Sequence, residues 1–496
     1  MKKIKIDYTF FIVLFAVSLV SCESQVQESN KDLVPPLHFN REHKFKIAQF
    51  TDIHWKGDET EECSKTTELI QYILKTEKPD LAVLTGDIVN YPSEEGWKTV
   101  MSIFTASEIP FAVTLGNHDD EADWSRDKIF DYLETLPGFV GKKGPANISG
   151  VGNYILEIRS ADSGKNAALL YFFDSHSYPS DRIMSDYDWI KFDQIAWHRE
   201  QSKNYTSVNG GNPYPALAFF HIPIPEYSEI KEQPTTLGER NEKVCSPRVN
   251  SGLFTSFMEM KDVMSSFAGH DHNNNYIGIH KGVALAYGQS SGYSGYGKIG
   301  KGARIIELQE GKYGFNTWIR FLDKTSLYYN YPLGCSFRAE DYNFLPSVQV
   351  ENIEKGIFYK YFEGEYTSVS EMPLAHPRKQ GTSNNVTLEI AGETNSFGLE
   401  FSGLIKITAT GIYRFYTTSD DGSQLYIDDK LVVDNDGAHG VIKADGLAAL
   451  NEGYHNLKVL YFNAKKKKLL NVSFMSLDFN EKKLPDSILY YAKSDK

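Results

Sequence analysis

The amino-acid sequence predicts a layered α/β domain followed by an all-β sandwich. The chain has 496 residues, whereas a single domain usually holds about 100–200 residues. From about residue 44 to 325, short runs of β-branched and aromatic residues alternate with amphipathic stretches, which indicates strands alternating with helices. From about residue 359 to 475, short alternating strands are separated by turns, which is typical of a sandwich.

The N-terminus has the features of an export signal. Several lysines precede an apolar run over residues 10–20, which is too short for a comfortable transmembrane helix. The run leads into Ser-Cys22, which resembles the lipobox of bacterial lipoproteins. The resemblance implies a signal peptide over residues 1–22 and a lipid on Cys22 that anchors the protein in the cell envelope, periplasmic or at the outer surface. The alternative is an ordinary signal peptide that ends in cysteine. Polar residues 23–43 are predicted to be a tether.

The net charge of −13 argues against a general nucleic-acid-binding protein. A strongly acidic chain does not attract phosphate backbones. A local pocket that carries metal ions can still hold a phosphate, because bound cations dominate their surroundings. We therefore expect no nucleic-acid partner.

Six predicted strands define the first domain, and polar residues follow each of them closely. The strands cover residues 45–50, 81–84, 111–115, 168–173, 216–220 and 263–267. Apolar positions at helical spacing predict a helix over residues 66–76. In open α/β sheets the site lies at the carboxyl ends of the strands, so the placement of these polar residues indicates chemistry rather than core packing.

Seven of these polar residues suit divalent metals, and they follow five of the six strands. They are Asp52, His54, Asp87, Asn117, His221, His270 and His272. Residues two apart in extended backbone point the same way, so Asp52 and His54 can reach one metal. Asp87 follows a glycine that lets the backbone turn sharply, and it is the expected bridging carboxylate. Two metals a few ångströms apart need oxygen and imidazole ligands of this kind. The alternative is a set of satisfied polar turn residues, which does not account for the ordered series.

The ordered series resembles the calcineurin-like metallophosphoesterase superfamily over about residues 44–325. Four stretches resemble its purple-acid-phosphatase-related branch, at residues 116–119, 219–227, 245–254 and 269–274. The resemblance implies a four-layer α/β/β/α fold with the active site between the sheet ends.

The same resemblance implies roles for individual residues. The first metal would be held by Asp52, His54, Asp87 and His272, and the second by Asp87, Asn117, His221 and His270. His118 would protonate the leaving alkoxide or steady the transition state, and Asp119 would orient it.

One departure from the purple acid phosphatases concerns the colour of the site. Those enzymes have a tyrosine three residues after the bridging aspartate, where this chain has Asn90, and Tyr91 comes one residue later. We therefore expect a colourless centre with manganese, zinc or ferrous iron, among which the sequence does not choose.

These features predict a hydrolase that acts on phosphoesters. Two cations lower the pKa of a bridging water, and the resulting hydroxide attacks phosphorus in line without a covalent enzyme intermediate. Phosphomonoester hydrolysis is the leading interpretation, and a phosphodiesterase or nucleotidase is the alternative on the same centre. A third reading is a glycan-binding lipoprotein with a degenerate phosphoesterase domain.

Several residues near these motifs carry weaker expectations. His176 follows the fourth strand and is expected to line the pocket, with a surface loop histidine as the alternative. The Gly- and Tyr-rich loop at residues 288–297, which includes Tyr293, either flanks the substrate or is a plain turn. An oxidising compartment allows one disulfide, and Cys63 and Cys245 are the expected pair because both adjoin metal motifs.

The second domain resembles the protective-antigen (PA14) type of β-sandwich over about residues 352–480. In sugar-binding members a pair of aspartates holds a calcium ion that coordinates glycan hydroxyls, and Asp420 and Asp421 match that pair. The alternative is a structural or spacer role. Residues 326–351 are predicted to link the domains, and residues 481–496 to form a C-terminal tail.

Overall fold

The computed structural model describes residues 36–57, 60–464 and 467–493. The predicted signal peptide and its Cys22 lie outside this part of the chain. Within it, no helix combines the length and the apolar character that crossing a bilayer requires.

The first domain contains two six-stranded sheets. The first sheet has the order β12-β11-β10-β1-β2-β3, in which β1, β2 and β3 are parallel and the others antiparallel. Its strands are β1 (Lys44–Phe50), β2 (Leu81–Thr85), β3 (Phe111–Thr114), β10 (Ala303–Gln309), β11 (Phe315–Arg320) and β12 (Thr325–Tyr331).

The second sheet has the order β4-β5-β6-β7-β9-β8, with β5, β6, β7 and β9 parallel. Its strands are β4 (Tyr154–Arg159), β5 (Asn166–Phe172), β6 (Ala216–Phe219), β7 (Val263–Ala268), β8 (Ile277–His280) and β9 (Val283–Tyr287). The helices are α1 (Glu61–Glu77), α2 (Ser93–Thr105), α3 (Arg126–Leu133), α4 (Phe192–Val208), α5 (Tyr227–Lys231) and α6 (Leu253–Met260).

The two faces of the second sheet contact different layers. Leu170 and Phe172 of β5 join a core shared with the first sheet and helices α1–α3, whereas Leu169 and Tyr171 join a core shared with α4–α6. Successive side chains of a strand point to opposite faces, so a strand buried on both sides is apolar throughout. The predicted four-layer α/β/β/α order is confirmed.

Three segments differ from the predicted division of the chain. Phe39, assigned to the tether, is buried in the first core, and its N–H donates to the carbonyl of Arg159 at 2.8 Å. The predicted linker contains β12, which pairs with β11 and completes the first sheet. The predicted C-terminal tail contributes the last strand of the sandwich. The strand in the linker, Thr325–Tyr331, mixes polar residues with tyrosines and is mostly half-buried, so it lacks the apolar run by which the other strands were predicted.

The second domain is a sandwich of antiparallel sheets, as predicted. A larger sheet has the order β13-β24-β16-β21-β18-β19, with β14 on β16 and β15 on β14, and a smaller sheet has the order β20-β17-β22-β23. The strands are β13 (Ile353–Lys355), β14 (Ile357–Glu363), β15 (Lys379–Ser383), β16 (Phe397–Ile407), β17 (Gly411–Asp420), β18 (Ser423–Ile427), β19 (Lys430–Asn435), β20 (Ile442–Leu450), β21 (Gly453–Asn463), β22 (Leu469–Ser476), β23 (Lys482–Lys483) and β24 (Leu489–Ala492).

A buried arginine joins the sandwich to the segment that follows the first domain. Arg414 of β17 is 7% exposed. Its guanidinium donates to the carbonyls of Leu333 and Gly334 at 2.6 and 3.2 Å and forms an ion pair with Asp445. Leu333 packs in one apolar cluster with Tyr416 and other sandwich residues. Removing one partner of a buried, charged hydrogen-bond set is strongly destabilising, so this joint ties the two domains together.

Candidate metal centre

The seven predicted ligands come from the carboxyl ends of strands in both sheets. Asp52 and His54 follow β1, Asp87 follows β2 and Asn117 follows β3, all in the first sheet. His221 follows β6, and His270 and His272 follow β7, in the second sheet. All seven residues are buried. The face-to-face packing of the sheets therefore brings two sets of strand ends to one place.

Asp52, His54 and His272 form the first triad of donor atoms. Nε2 of His272 lies 3.3 Å from Oδ1 of Asp52 and 3.0 Å from Nε2 of His54. A carboxylate oxygen and two imidazole nitrogens that converge at this spacing match the donors that zinc, manganese and ferrous iron accept.

Asp87, His221 and His270 form the second triad. Nε2 of His221 lies 3.1 Å from Oδ2 of Asp87 and 3.3 Å from Nδ1 of His270. The same Oδ2 lies 3.6 Å from Nε2 of His54, which belongs to the first triad. Asp87 is therefore the residue whose oxygen faces both triads.

Asn117 provides an independent sign that a cation fits here. Its Oδ1 is buried and has no hydrogen-bond partner in the part of the chain that the structure describes. Its Nδ2 donates to the Tyr178 hydroxyl at 3.1 Å, which fixes the amide. A buried carbonyl oxygen without a donor is unfavourable, and a bound cation would satisfy it.

Three outer hydrogen bonds fix the tautomers of the histidines. Nδ1 of His54 lies 2.9 Å from Oδ1 of Asn90, Nδ1 of His221 lies 2.8 Å from the carbonyl of Thr85, and Nδ1 of His272 lies 2.9 Å from the carbonyl of Tyr296. When Nδ1–H donates to these oxygens, Nε2 keeps its lone pair for a metal. Asn90, at the position where purple acid phosphatases have a tyrosine, thus orients a ligand.

The backbone at the site is held in an unusual conformation. Asp52, His54, Asp87 and His270 have φ values of +54°, +49°, +51° and +80°. This left-handed region is unfavourable for residues other than glycine, and it occurs in turns and at functional sites. The surrounding structure therefore forces these four side chains toward the centre.

Glycine permits the close packing of two of these turns. A Cβ atom at Gly116 would lie 2.2 Å from Oδ1 of Asp87, and one at Gly86 would lie 2.5 Å from Nδ1 of His221. The glycines of the Gly-Asp and Gly-Asn motifs thus leave room for the ligands themselves.

Burial and neighbouring charges set opposite protonation tendencies among the ligands. Burial lowers the pKa of His270 to about 3 and that of His54 to about 4. Burial also opposes charge on His221, but the Asp87 carboxylate outweighs it and raises the His221 pKa to about 9. The His272 imidazole keeps the pKa of Asp52 below its ordinary value despite burial. The lowered pKa values of Asp52 and Asp87 favour their ionised forms, which are the forms that bind metal.

His118 lies at the edge of this centre, but Asp119 does not orient it. Nδ1 of His118 lies 2.6 Å from Oε2 of Glu121, whose Oε1 accepts from Tyr178 at 3.1 Å. The Asp119 carboxylate instead accepts the backbone N–H groups of residues 87, 88, 89 and 116 at 2.7–3.0 Å. Those four donors hold Asp119 inside the turn, which corrects the role expected for it.

The predicted pocket residues His176 and Tyr293 lie away from the cavity over the ligands. Nε2 of His176 lies 2.9 Å from Oε1 of Gln194, and the backbone of Tyr293 bonds to Thr66 while its ring packs on the first core. The cavity has a volume of about 290 Å³. It is lined by His54, Lys56, Asp87, Asn90, His118, Tyr187, Cys245, His270, Asp271, His272, Ser294, Gly295 and Tyr296.

Two tyrosines that the sequence reasoning missed pack on the ligands. The Tyr296 ring stacks on His272 with centroids 3.9 Å apart, and the Tyr187 ring meets His270 edge-on at 4.4 Å. Tyr296 belongs to the Gly- and Tyr-rich loop, so the composition of that loop was the available signal. The loop packs closely against the site, since a Cβ atom added at Gly295 would lie only 3.0 Å from the His272 ring.

The expected pair of Cys63 and Cys245 is not a disulfide. Both are free thiols, and so is Cys335. Cys63 lies in the first turn of α1 with its side chain in the first core, whereas Cys245 lines the cavity. Proximity to metal motifs in sequence thus did not bring the two sulfurs together.

The paired aspartates of the sandwich lie at the end of β17. Asp420 is 8% exposed and Asp421 is 1% exposed. Oδ2 of Asp421 accepts the N–H of Ala464 at 2.9 Å, and the Tyr461 hydroxyl donates to the carbonyl of Asp420 at 2.6 Å. The same hydroxyl lies 3.3 Å from Oδ1 of Asn463, so Tyr461 links the Asp420 backbone to the Asn463 amide.

Comparison with known families matches both halves of the chain. The calcineurin-like phosphoesterase family matches residues 45–274, and the PA14 domain family matches residues 354–487.

Relatives of the first half carry different names. The probable inactive purple acid phosphatase 29 of Arabidopsis thaliana is 35% identical over 330 residues, which cover 58% of this chain and 85% of that protein. Phosphatase DCR2 of Saccharomyces cerevisiae is 36% identical over 317 residues, covering 56% of this chain and 54% of that protein. A solved dimetal phosphatase from Danio rerio has 13% identity and a TM-score of 0.41, covering 57% of this chain and 98% of that structure.

Proposed function

We propose that this chain, which belongs to the calcineurin-like phosphoesterase family, hydrolyses phosphomonoesters with two divalent cations held by the seven side chains at the sheet ends. The observation that carries the proposal is the oxygen of Asp87 that faces both triads, beside the unpartnered Oδ1 of Asn117. The family binds a dinuclear metal centre, and the donor atoms present here fit one. Named relatives include both a phosphatase and proteins called inactive. The complete set of candidate ligands supports the hypothesis that this chain is an active enzyme.

The bound cations would supply an activated water and offset negative charge on the phosphoryl oxygens. The residues of the chain position that chemistry. Asn90, Thr85 and the Tyr296 carbonyl hold the ligating rings in one tautomer. His118 lines the cavity, and the bond from its Nδ1 to Glu121 leaves Nε2 to give a proton to the leaving oxygen.

Glu121 is placed to keep His118 in a productive orientation. Its carboxylate contacts the imidazole at 2.6 Å, and Tyr178 connects the same carboxylate to the amide of Asn117. A carboxylate beside an imidazole fixes the tautomer and the orientation of the ring. The proposed acid is thus connected to a metal ligand by three hydrogen bonds.

A chelation experiment tests the enzyme and its substrate class together. The full chain is stripped of metal, reloaded separately with manganese, zinc or ferrous iron, and assayed with an aryl phosphate and a bis-aryl phosphate. We expect the monoester to be hydrolysed faster, with activity lost on stripping and restored on reloading. Faster diester turnover would favour the phosphodiesterase alternative, and turnover of neither ester would reject the enzyme. Metal analysis and a visible spectrum test the colourless centre. We expect no tyrosinate band.

We also propose that Asp420 and Asp421 hold a calcium ion through which the sandwich binds glycans. Two buried aspartates that are adjacent in the chain support this, because calcium prefers several oxygen ligands. Glycan-array binding with and without calcium tests the idea. Equal binding in both conditions would reject the calcium role, and no binding in either condition would leave the sandwich as a spacer.

The envelope location remains a proposal from the sequence. It rests on the apolar run and Cys22, which the structure does not describe. Expression in a bacterial host with a radiolabelled fatty acid tests it, because Cys22→Ser is expected to remove the label and release the protein from the membrane fraction.

A further inference from the structure

We propose that Glu242, Cys245 and Asp271 form a third cation site, for a thiophilic divalent ion of the zinc type, beside the dinuclear centre. The three residues are called the rim triad below. One carboxylate oxygen of Glu242, the Sγ of Cys245 and one carboxylate oxygen of Asp271 all lie within 4.8 Å of one another. None of these side chains belongs to the two triads that hold the dinuclear centre.

The first argument is an unsatisfied carboxylate oxygen. Asp271 is 2% exposed, and its Oδ1 is buried without a hydrogen-bond partner among the residues that the structure describes. Its Oδ2 accepts from the Tyr287 hydroxyl at 2.5 Å and from the N–H of Cys245 at 3.1 Å. Those two bonds hold the carboxylate through Oδ2, and they leave the lone pairs of Oδ1 unused.

The second argument is uncompensated charge. Within the described ranges, no lysine, arginine or histidine forms an ion pair with Glu242 or Asp271. Glu242 is held by neutral donors instead, the Tyr296 hydroxyl at 2.5 Å and the N–H of Asn273 at 3.0 Å. Two carboxylates this close repel each other, and a shared cation removes the repulsion.

The third argument is the chemistry of the donor set. The Cys245 thiol is free and half-buried, and it lines the cavity together with Asp271. A thiolate with two carboxylates suits zinc, which takes four tetrahedral ligands, and the cavity leaves the fourth position open to water or substrate. Magnesium and calcium prefer oxygen ligands alone and fit this set less well.

The rim triad connects directly to the dinuclear centre. Asp271 lies between the ligands His270 and His272, and Tyr296, which donates to Glu242, stacks on His272 at 3.9 Å. A cation in the rim triad would therefore place positive charge at the wall of the substrate cavity. The ion enters through that cavity, since Cys245 and Asp271 both face it.

Metal stoichiometry tests the proposal. The full chain and its Cys245→Ser variant are chelated, equilibrated with excess zinc, freed of unbound ion and analysed for zinc per chain. We expect one zinc fewer in Cys245→Ser. Cys63→Ser, which alters a buried thiol in α1, is the matched control and is expected to bind as much zinc as the parent. Because the zinc content of the parent is compared with that of the variant, the test does not require the dinuclear centre to be fully loaded. Equal zinc in the parent and Cys245→Ser would overturn the proposal.

A spectroscopic measurement separates the rim triad from the other sites. Cobalt substitution gives a thiolate-to-metal charge-transfer band only when sulfur is a ligand. We expect that band in the parent and in Cys63→Ser, and its loss in Cys245→Ser. Its persistence in Cys245→Ser would contradict the assignment. Should Cys245→Ser fail to fold, Glu242→Gln replaces it, since glutamine keeps an acceptor for Tyr296 but removes one charge. In that variant the cobalt affinity, measured by titration of the charge-transfer band, is expected to fall at least tenfold. Unchanged affinity would reject the site.

Discussion

Asp87 and Asp421 both follow the end of a strand, yet the protein surrounds the two carboxylates differently. Asp87 meets histidines from two sheets, and its own backbone is held at a φ of +51°. Asp421 has one aspartate neighbour in the chain, and its Oδ2 already accepts a backbone N–H. Each carboxylate accepts one backbone N–H, so Asp87 differs from Asp421 in the imidazoles that converge on its other oxygen. Preorganised sites bind tightly because little ordering remains to be done on binding. The comparison predicts a strong dependence on metal in the first domain and a weaker one in the sandwich.

The largest effect is expected from removing the shared oxygen of the first site. Asp87→Ala deletes the atom that faces both triads, so hydrolysis should fall by more than the roughly 10–100-fold that loss of an outer partner of a metal ligand produces. The measurement is kcat/KM for an aryl phosphate in excess metal. Asp131→Ala, an exposed helix position, is the control. Turnover that survives in Asp87→Ala would refute the bridging role.

Asp421→Asn should show how far the sandwich depends on its ion. A ligand at about 100 times its Kd stabilises the folded state by about 2.7 kcal/mol. We expect calcium to raise the melting temperature of the parent but not that of Asp421→Asn. Asp429→Asn, whose side chain in the β18–β19 turn is 90% exposed, should respond like the parent. A calcium shift that persists in Asp421→Asn would remove this carboxylate from the site.

Glu121→Gln and Asp119→Asn separate two neighbouring acids by what each controls. We expect Glu121→Gln to lower kcat about tenfold with little change in KM or metal content, because it weakens the support of His118. Asp119→Asn should lower the free energy of unfolding by about 1–3 kcal/mol, because its carboxylate accepts four backbone N–H groups. The opposite pattern, with kcat controlled by Asp119, would restore the role inferred from sequence.

The smallest effect concerns acid and the first domain. Burial lowers the pKa of His198 to about 4, below the 6.5 of a free histidine. Below pH 6.5 the unfolded chain binds a proton that the folded chain excludes, so stability falls by up to about 1.4 kcal/mol per pH unit until about pH 4. Denaturant unfolding of chelated protein should show a shallower loss in His198→Gln. If the free energy of unfolding fell equally with pH in both proteins, the acid sensitivity would come from a group other than His198.

The convergence of the candidate metal ligands could be predicted from the sequence, because strand order determines where they lie. Asp52, Asp87 and His221 each follow a recognisable strand, and parallel strands end at the same sheet edge. The Asp428–Lys430 turn could be predicted for a similar local reason. Asp428 and Asp429 have φ values of +48° and +63°, which a two-residue hairpin turn requires and which aspartate tolerates.

The residues around the ligands could not be predicted, because their positions depend on loop conformation. His118 and Asp119 are adjacent in sequence, but four backbone donors draw Asp119 away and Glu121 takes its place. Tyr296 and not Tyr293 faces the cavity because the loop turns between them. The spacing of these residues in the sequence does not determine the conformations of their loops.

The left-handed backbone of Asp52, His54, Asp87 and His270 has a consequence for laboratory evolution. Such a residue destabilises the folded chain by about 1–3 kcal/mol where glycine would not. A library selected only for heat resistance, in the presence of a chelator, should therefore accept glycine more readily at His54 and His270 than at Asp52 and Asp87, whose carboxylates accept backbone N–H groups, and should lose its catalysis. Selection for turnover would drive the same codons back. At this site thermal stability and catalytic activity are therefore opposed.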